Sequence, residues 1–260
     1  MAFTLNLSGY GPYKAMGQSC QLKDIGEFHV KWPKLAGTNN FSNSDLSMRY
    51  MGGKDVQEVV ELWKDVYPEA YGSTHQFVFD PQWYEGNVLM DENWKTDAMK
   101  KPYAIILLEE LDRHRLSGIL LMTKWDQNLH IEFTMGGLHS DFRRTETFYP
   151  FFRKILDSIL KTEAELITAF AETWHKKTQE LLEHHGFKIW GVFPGNMIRW
   201  SRDQKCYRAC EVHYYKFIND GERFASGFDE WAFSEKSKAL WQALESVNAN
   251  IEPAPDGRKR

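Results

Sequence analysis

The sequence predicts an α/β (α+β) fold in which strands and amphipathic helices share a core. Three observations carry that prediction. Three apolar runs, "YAIILLEEL", "LSGILLMTKW" and "LHIEFTMGGL", are separated only by the polar turns "DRHR" and "DQN", the pattern of an antiparallel meander. A segment of helical period stands on either side of the meander, and one more apolar strand, "ELITAFAE", follows the second. Finally, 42% of the 260 residues are apolar, ample for a packed core and too many for a disordered or fibrous chain.

Residues 1–45 are rich in Gly, Asn, Ser and Lys, with isolated aromatics at Tyr10, Tyr13, Phe28 and Trp32. They read as an irregular N-terminal arm holding one strand candidate, "EFHVKW". From Leu46, "LSMRYM" alternates as a strand does. Val56, Val59, Val60, Trp63 and Val66 then recur at helical spacing and stop before Pro68 and Gly72. The stretch "DPQWYEGNVLMDENWKTDAM" reads as a broken helix or an acidic loop. After the meander, Phe148, Phe151, Phe152, Ile155, Leu156, Ile159 and Leu160 mark one helical face, with Pro150 tolerable only in a first turn.

The strand "ELITAFAE" leads into a helix that carries Leu181 and Leu182 inward and closes at Gly186, the expected left-handed stop. Strand candidates "KIWGVFPGNMIRW" and "ACEVHYYKFI", a helix "FSEKSKALWQALESVNA" and a tail "EPAPDGRKR" follow. The organisation expected is therefore an arm (1–45), a main domain (46–218), a helical extension (219–250) and a flexible tail (251–260).

A net charge of −4, spread among interspersed acids and bases, gives no footprint for nucleic acid or an anionic membrane. Small molecules or proteins are the partners to expect. No run approaches the roughly 18 apolar residues of a membrane-spanning helix, and the N-terminus lacks a basic region followed by an apolar one. A soluble cytoplasmic protein is expected. Three cysteines cannot complete a disulfide framework. Cys206 and Cys210 read as ordinary thiols, and His184 and His185 as cations suited to a helix C-terminus, so no metal is expected.

Chemistry-bearing residues gather in two places. On "LHIEFT", His130, Glu132 and Thr134 share one strand face and Leu129, Ile131 and Phe133 the other. Glu172, Thr173 and His175 lie where "ELITAFAE" hands over to its helix.

The order strand, helix, three-strand meander, helix, strand, helix, two strands resembles the GNAT superfamily of N-acyltransferases over about residues 46–218. The likeness is most specific in "AFAETWHKKTQELLEHHGFKIWGVFPG", which carries the Gly186–Phe187 pair. It implies a mixed, mostly antiparallel central sheet flanked by helices, with splayed fourth and fifth strands and the pantetheine of acetyl-CoA or another acyl-CoA in the gap. It implies an amine acceptor, small molecule or peptide, and a monomer or homodimer. Glu132 would remove the amine proton, with His130 as a spare base. Backbone N–H groups near Met135, Gly136, Gly137 and Leu138 would polarise the thioester carbonyl, the two glycines permitting a bulge. Arg143, Arg144 and Thr173 would lie beside the cofactor.

The departures from the family pattern are equally informative. The pyrophosphate loop resembles Gln/Arg-x-x-Gly-x-Gly/Ala, and here it is "RRTETF". Arg143 matches, but Glu146 and Phe148 stand where small residues are expected, and a carboxylate there repels phosphate. His175 falls where many members have Asn. Leu182 falls where many have the Tyr that protonates the departing thiolate, which leaves that task to His175, to one of Tyr214 and Tyr215, or to water. Two other readings stand beside acyl transfer from CoA: a carrier-protein thioester donor in the same cleft, and a catalytically inactive GNAT-shaped binding or regulatory module.

Overall fold

Strands form where apolar side chains crowd both faces of a short run, as they do in the meander. The computed structural model describes residues 23–24, 26–35, 38–41, 44–142, 145–200, 203, 205–226 and 233–251. Its strands are β1 (Thr38–Phe41), β2 (Ser44–Tyr50), β3 (Val88–Leu89), β4 (Tyr103–Glu110), β5 (Arg115–Trp125), β6 (His130–Leu138), β7 (Leu166–Glu172), β8 (Lys188–Trp200) and β9 (Cys206–Phe217). Its helices are α1 (Val56–Val66), α2 (Pro81–Asn87), α3 (Trp94–Asp97), α4 (Thr145–Ile159), α5 (Lys176–His184) and α6 (Glu235–Asn248).

One sheet runs β1-β2-β4-β5-β6-β7-β9-β8, with β3 pairing β4. Its parallel pairs are β3 with β4 and β6 with β7; the rest are antiparallel. The β6–β7 pair is parallel because α4 carries the chain back to the start of the next strand. This is the mixed, mostly antiparallel sheet expected.

Alternation along the meander sorts side chains into two cores. Ile106, Leu120, Met122, Ile131 and Phe133 pack with Phe151, Phe152 and Ile155 of α4 and with Leu181 and Leu182 of α5. Ile105, Leu107, Ile119, Leu121 and Met135 pack with Val59, Val60 and Trp63 of α1 and Tyr84 of α2.

Two expectations are corrected. "EFHVKW" is not a strand. Val30 and Trp32 are fully buried, but the backbone there is satisfied by loops and side chains. The Trp32 N–H donates to the Ala98 carbonyl at 3.1 Å, and Lys124 Nζ donates to the Val30 carbonyl. Pro150 lies inside α4 rather than in a first turn. The hydrogen bond it removes is outweighed by the apolar face from Phe151 to Ile159 that α4 buries.

The 80–97 stretch is a broken helix: α2, capped by the Asp80 carboxylate accepting from the Gln82 N–H at 3.0 Å, then β3, a turn and α3. Gly186 closes α5 with φ of +74°, and the Phe187 N–H returns to the Leu182 carbonyl at 3.0 Å. The buried Asn248 of α6 accepts from the Ile189 N–H at 2.7 Å and donates to its carbonyl at 2.9 Å, so one side-chain amide imitates a strand partner for β8. No helix among the described residues is long and apolar enough to cross a membrane.

Candidate active site

β6 and β7 pair only from His130 opposite Leu166 to Phe133 opposite Ala169. Beyond that point β6 stays with β5 and β7 stays with β9, so the two strands diverge into a wedge-shaped cleft. Backbone groups of β6 after Phe133 that point toward β7 therefore have no strand partner there. These are the fourth and fifth strands of the sequence order, and they splay as the resemblance implied.

The register of β6 against β5 steps from Phe133 opposite Met122 to Met135 opposite Leu121. Thr134 is the extra residue, so the bulge sits at Thr134 and not at Gly136 and Gly137, which pair regularly with Leu120 and Ile119. The glycines are small for another reason. A Cβ on Gly137 would stand 2.9 Å from Val66, so its absence lets α1 approach the sheet. The bulge interrupts the face alternation after Thr134, so that Phe133 packs in the α4 core and Met135 in the α1 core, while the Thr134 hydroxyl lies 3.3 Å from Glu132 Oε1 and 2.6 Å from the Thr123 hydroxyl.

Phe133, Phe148, Phe152, Leu181 and Leu182 wall the cleft, whose open space amounts to about 650 Å³, and Tyr67, Thr134, Met135, Gly136, Glu172 and His175 complete it. Leu182 is buried in that wall with no proton to give. Phe148 occupies the α4 side, where the family pattern has a small residue.

A charged network closes the β7 end. Glu172, 4% exposed, accepts from Arg199 Nε at 2.5 Å and from the Tyr67 hydroxyl at 3.1 Å. Arg199, fully buried, also donates to the Tyr67 oxygen at 3.2 Å and stands 3.8 Å from Glu211 Oε1. Glu211, 1% exposed, accepts from Asn196 at 2.6 Å and pairs with His213 Nε2 at 3.2 Å. Burial pushes the Glu211 carboxyl up, but His213, Asn196 and Arg199 together hold it below the ordinary range. Burial raises Glu132, reinforced by the Glu211 charge and opposed by Thr134 and His213. Burial also raises the Tyr67 hydroxyl, with the Glu172 charge adding to it.

A row of rings lies beside these groups. His75 stacks on Phe170 at 6.2 Å, Phe170 on His213 at 5.7 Å, and Phe193 meets His213 at 4.2 Å. Burial, helped by the Arg199 charge, lowers His75 to about 4, and burial alone lowers His130 to about 4. His130 Nε2 is engaged by the Thr168 hydroxyl at 2.6 Å.

The residues named from sequence separate accordingly. His175 takes the N-cap position of α5 at the cleft, half-exposed, with Nδ1 4.0 Å from Glu172 Oε2. Met135 and Gly136 line the cleft, whereas Leu138 packs into the core on the α4 side. Thr173 is exposed, and its N–H donates to the Cys210 carbonyl. Tyr215 lies level with Thr168 and Glu132 across three strands.

Tyr214 is corrected: it is fully buried in the core beneath α5 with its hydroxyl donating to Glu183 at 3.1 Å, so it does not reach the cleft. Arg143 and Arg144 lie outside the described residues, as does the Glu146 side chain. Cys206 and Cys210 are free thiols, and no metal-holding cluster occurs among the described residues. Tyr67, Arg199, Glu211, His213 and His75 were missed from sequence. The available signal was Glu172 itself, a carboxylate at the end of an apolar strand that required a buried partner.

No protein-family model and no curated protein sequence matches the chain. Solved structures do match its fold. Mutant forms of the spermidine/spermine N-acetyltransferase SpeG from Vibrio cholerae share 14% identity, cover 69% of this chain and 98% of their own, and superpose with a TM-score of 0.52. A dodecameric spermidine N-acetyltransferase from the same organism shares 13%, covering 68% and 96% with a TM-score of 0.51. The yncA protein from Salmonella typhimurium, solved with its cofactor acetyl-CoA, shares 12%, covering 68% and 95% with a TM-score of 0.51. At these identities the likeness establishes the fold, and the chain has the GNAT fold over about two thirds of its length.

Proposed function

We propose that this protein is an N-acyltransferase that takes an acyl group, acetyl in the simplest case, from a CoA thioester and transfers it to an amine by direct attack. One observation carries the reading: β6–β7 pairing ends at Phe133 and Ala169, with a bulge at the apex of the opening and a half-buried carboxylate, Glu132, beside it. A linear chain of amides fits such a wedge, because unpartnered strand groups can pair with it while Phe133, Ala169 and Leu182 exclude water. Acyl-CoA supplies an activated carbonyl and a thiolate leaving group. The β6 backbone past the bulge offers N–H groups to the developing oxyanion.

Glu132 takes the amine proton. Its raised affinity for a proton makes it a stronger base than an exposed carboxylate, closer to the match that proton transfer near neutral pH requires. Tyr67 directs its proton to Glu172 and so positions the network. His175, at the cleft and half-exposed, is the group set to return a proton to sulfur. On the acceptor side Glu172 and Glu211 share a single buried Arg199, and Glu132 lies close enough to Glu211 to sense its charge, a balance that suits a cationic amine; spermidine, named for two of the matched structures, is of that chemical class.

A second reading, a carrier-protein thioester as donor, is favoured by Phe148 in the cleft wall, which narrows the approach of a diphosphate toward α4. Calorimetry with acetyl-CoA and free CoA, followed by thiol release with a panel of diamines, distinguishes the two. Binding of both, with amine-dependent release, is the expected result. Release only from a carrier-protein thioester would support the second reading, and no release from either donor would leave the fold without this activity.

A further inference from the structure

A second cavity shares no lining residue with the acyl cleft. It is a partly open hollow of about 580 Å³, some of it open solvent, between the C-terminal half of α4, the end of α5 and the end of β9. Leu156, Leu160, Ile167 and Ile218 form its apolar wall, and Arg153, Asp157, His184, His185 and Lys216 its polar side. Two features have no use in the acyl-transfer chemistry. His185 is 9% exposed, and its Nε2 is buried with no hydrogen-bond partner. Lys216 is half-buried beside it, with Nζ donating to the His185 carbonyl at 2.9 Å.

The charges of the cavity do not cancel. Asp157 pairs with Arg153 at 2.9 Å, so Lys216 contributes one positive charge that no carboxylate in the lining answers. Burial holds His185 uncharged near neutral pH, its value lowered to about 4, and burial with the Arg153 and Lys188 charges lowers Lys216. One half-buried cation, an imidazole nitrogen that donates in its Nε2–H tautomer and four aliphatic side chains specify a ligand that is singly negative at one end and apolar at the other.

We propose that this cavity binds a small aliphatic carboxylate, its head group on Lys216 and His185 Nε2 and its chain against Leu156, Leu160, Ile167 and Ile218. A phosphate dianion brings more charge than Lys216 offsets and has no chain for the apolar wall. The site is independent of the acyl-transfer proposal, yet it adjoins the cleft. The His185 ring packs, tilted, at 5.1 Å against Phe152, which lines the cleft, so a bound carboxylate steadies the end of α5 and the wall beside it.

Calorimetry and thermal melting of the full chain with hexanoate, 1-hexanol, hexylamine and inorganic phosphate test this. Hexanoate is expected to bind and raise the melting midpoint, with the other three at least tenfold weaker. His185→Phe keeps a ring against Tyr149 and Phe152 while deleting the nitrogen, and is expected to weaken hexanoate at least fivefold. Lys216→Met is expected to weaken it at least tenfold. Because Lys216 also holds the end of α5, Leu160→Glu serves as a second variant: Leu160 is 45% exposed, and a carboxylate there should abolish hexanoate binding in a folded protein. Equal binding of hexanol or phosphate, or unchanged hexanoate affinity in both His185→Phe and Leu160→Glu, would overturn the assignment.

Discussion

Glu132 is half-buried, hydrogen-bonded by Thr134 and close enough to Glu211 and His213 to sense both. If it is the base, Glu132→Gln should lower turnover by about 10² to 10⁴ with CoA affinity unchanged, because proton removal is lost and donor binding is not. A base must be deprotonated to act, and burial raises this one. The acid limb of the wild-type pH–rate profile should therefore lie above the ordinary carboxylate range and disappear in the variant. An unchanged rate would move the role elsewhere. Arg199 presents a different residue-scale problem, since it is the cation between buried Glu172 and Glu211. Arg199→Met should cost about 3–5 kcal/mol in urea unfolding by stranding two buried carboxylates. A loss below about 1 kcal/mol would mean that they do not depend on it.

At the scale of elements, the contact of α1 with β6 rests on the missing side chain at Gly137, where a Cβ would stand 2.9 Å from Val66. Gly137→Ala should cost about 1–3 kcal/mol through overpacking, and Val66→Ala in the same chain should recover part of that loss in a double-mutant cycle. Additive losses would show that the two positions do not meet. The cleft itself is also an element-scale feature. Which residues of β6 show one face was legible from alternation up to Phe133, but the bulge at Thr134 was not, because a bulge is a mismatch between two strands and β6 carries only one of them. Pro150 teaches the same lesson for helices, since its intrinsic cost argued for a first turn and packing of the following apolar face overrode it.

At the scale of the whole molecule, burial lowers His75, His130 and His185 to about 4 each. Unfolded histidines titrate near 6.5. Between those values the unfolded chain binds more protons than the folded one, so stability rises with pH through this window. This contribution is complete above about pH 6.5 and is lost as pH falls toward 4. Glu132, being raised, works with the opposite sign over its own range. The melting midpoint should therefore fall as pH falls from about 6.5 to 4, and His75→Phe should flatten that slope while preserving the ring against Phe170. An unaltered slope would show that His75 is charged in the folded state.

By itself the sequence determined the order of strands and helices, the two-faced meander and the left-handed stop at Gly186. Each is written within a dozen or so residues, in hydrophobic period and turn chemistry, and needs no knowledge of what lies across the fold. Tertiary structure alone decided the charged network and the usable face of β9. Arg199 reaches Glu172 across 27 positions, and Tyr67 reaches Glu172 across 105 and Arg199 across 132. Alternation puts Tyr214 and Tyr215 on opposite faces, but only the insertion of β9 between β7 and β8 sends Tyr214 into the core and sets Glu211 and His213 beside Glu172 and Phe170. The physical reason is that periodicity records whether a residue is buried, while the identity of its partner depends on sheet order, which is set by long-range pairing that no local pattern encodes.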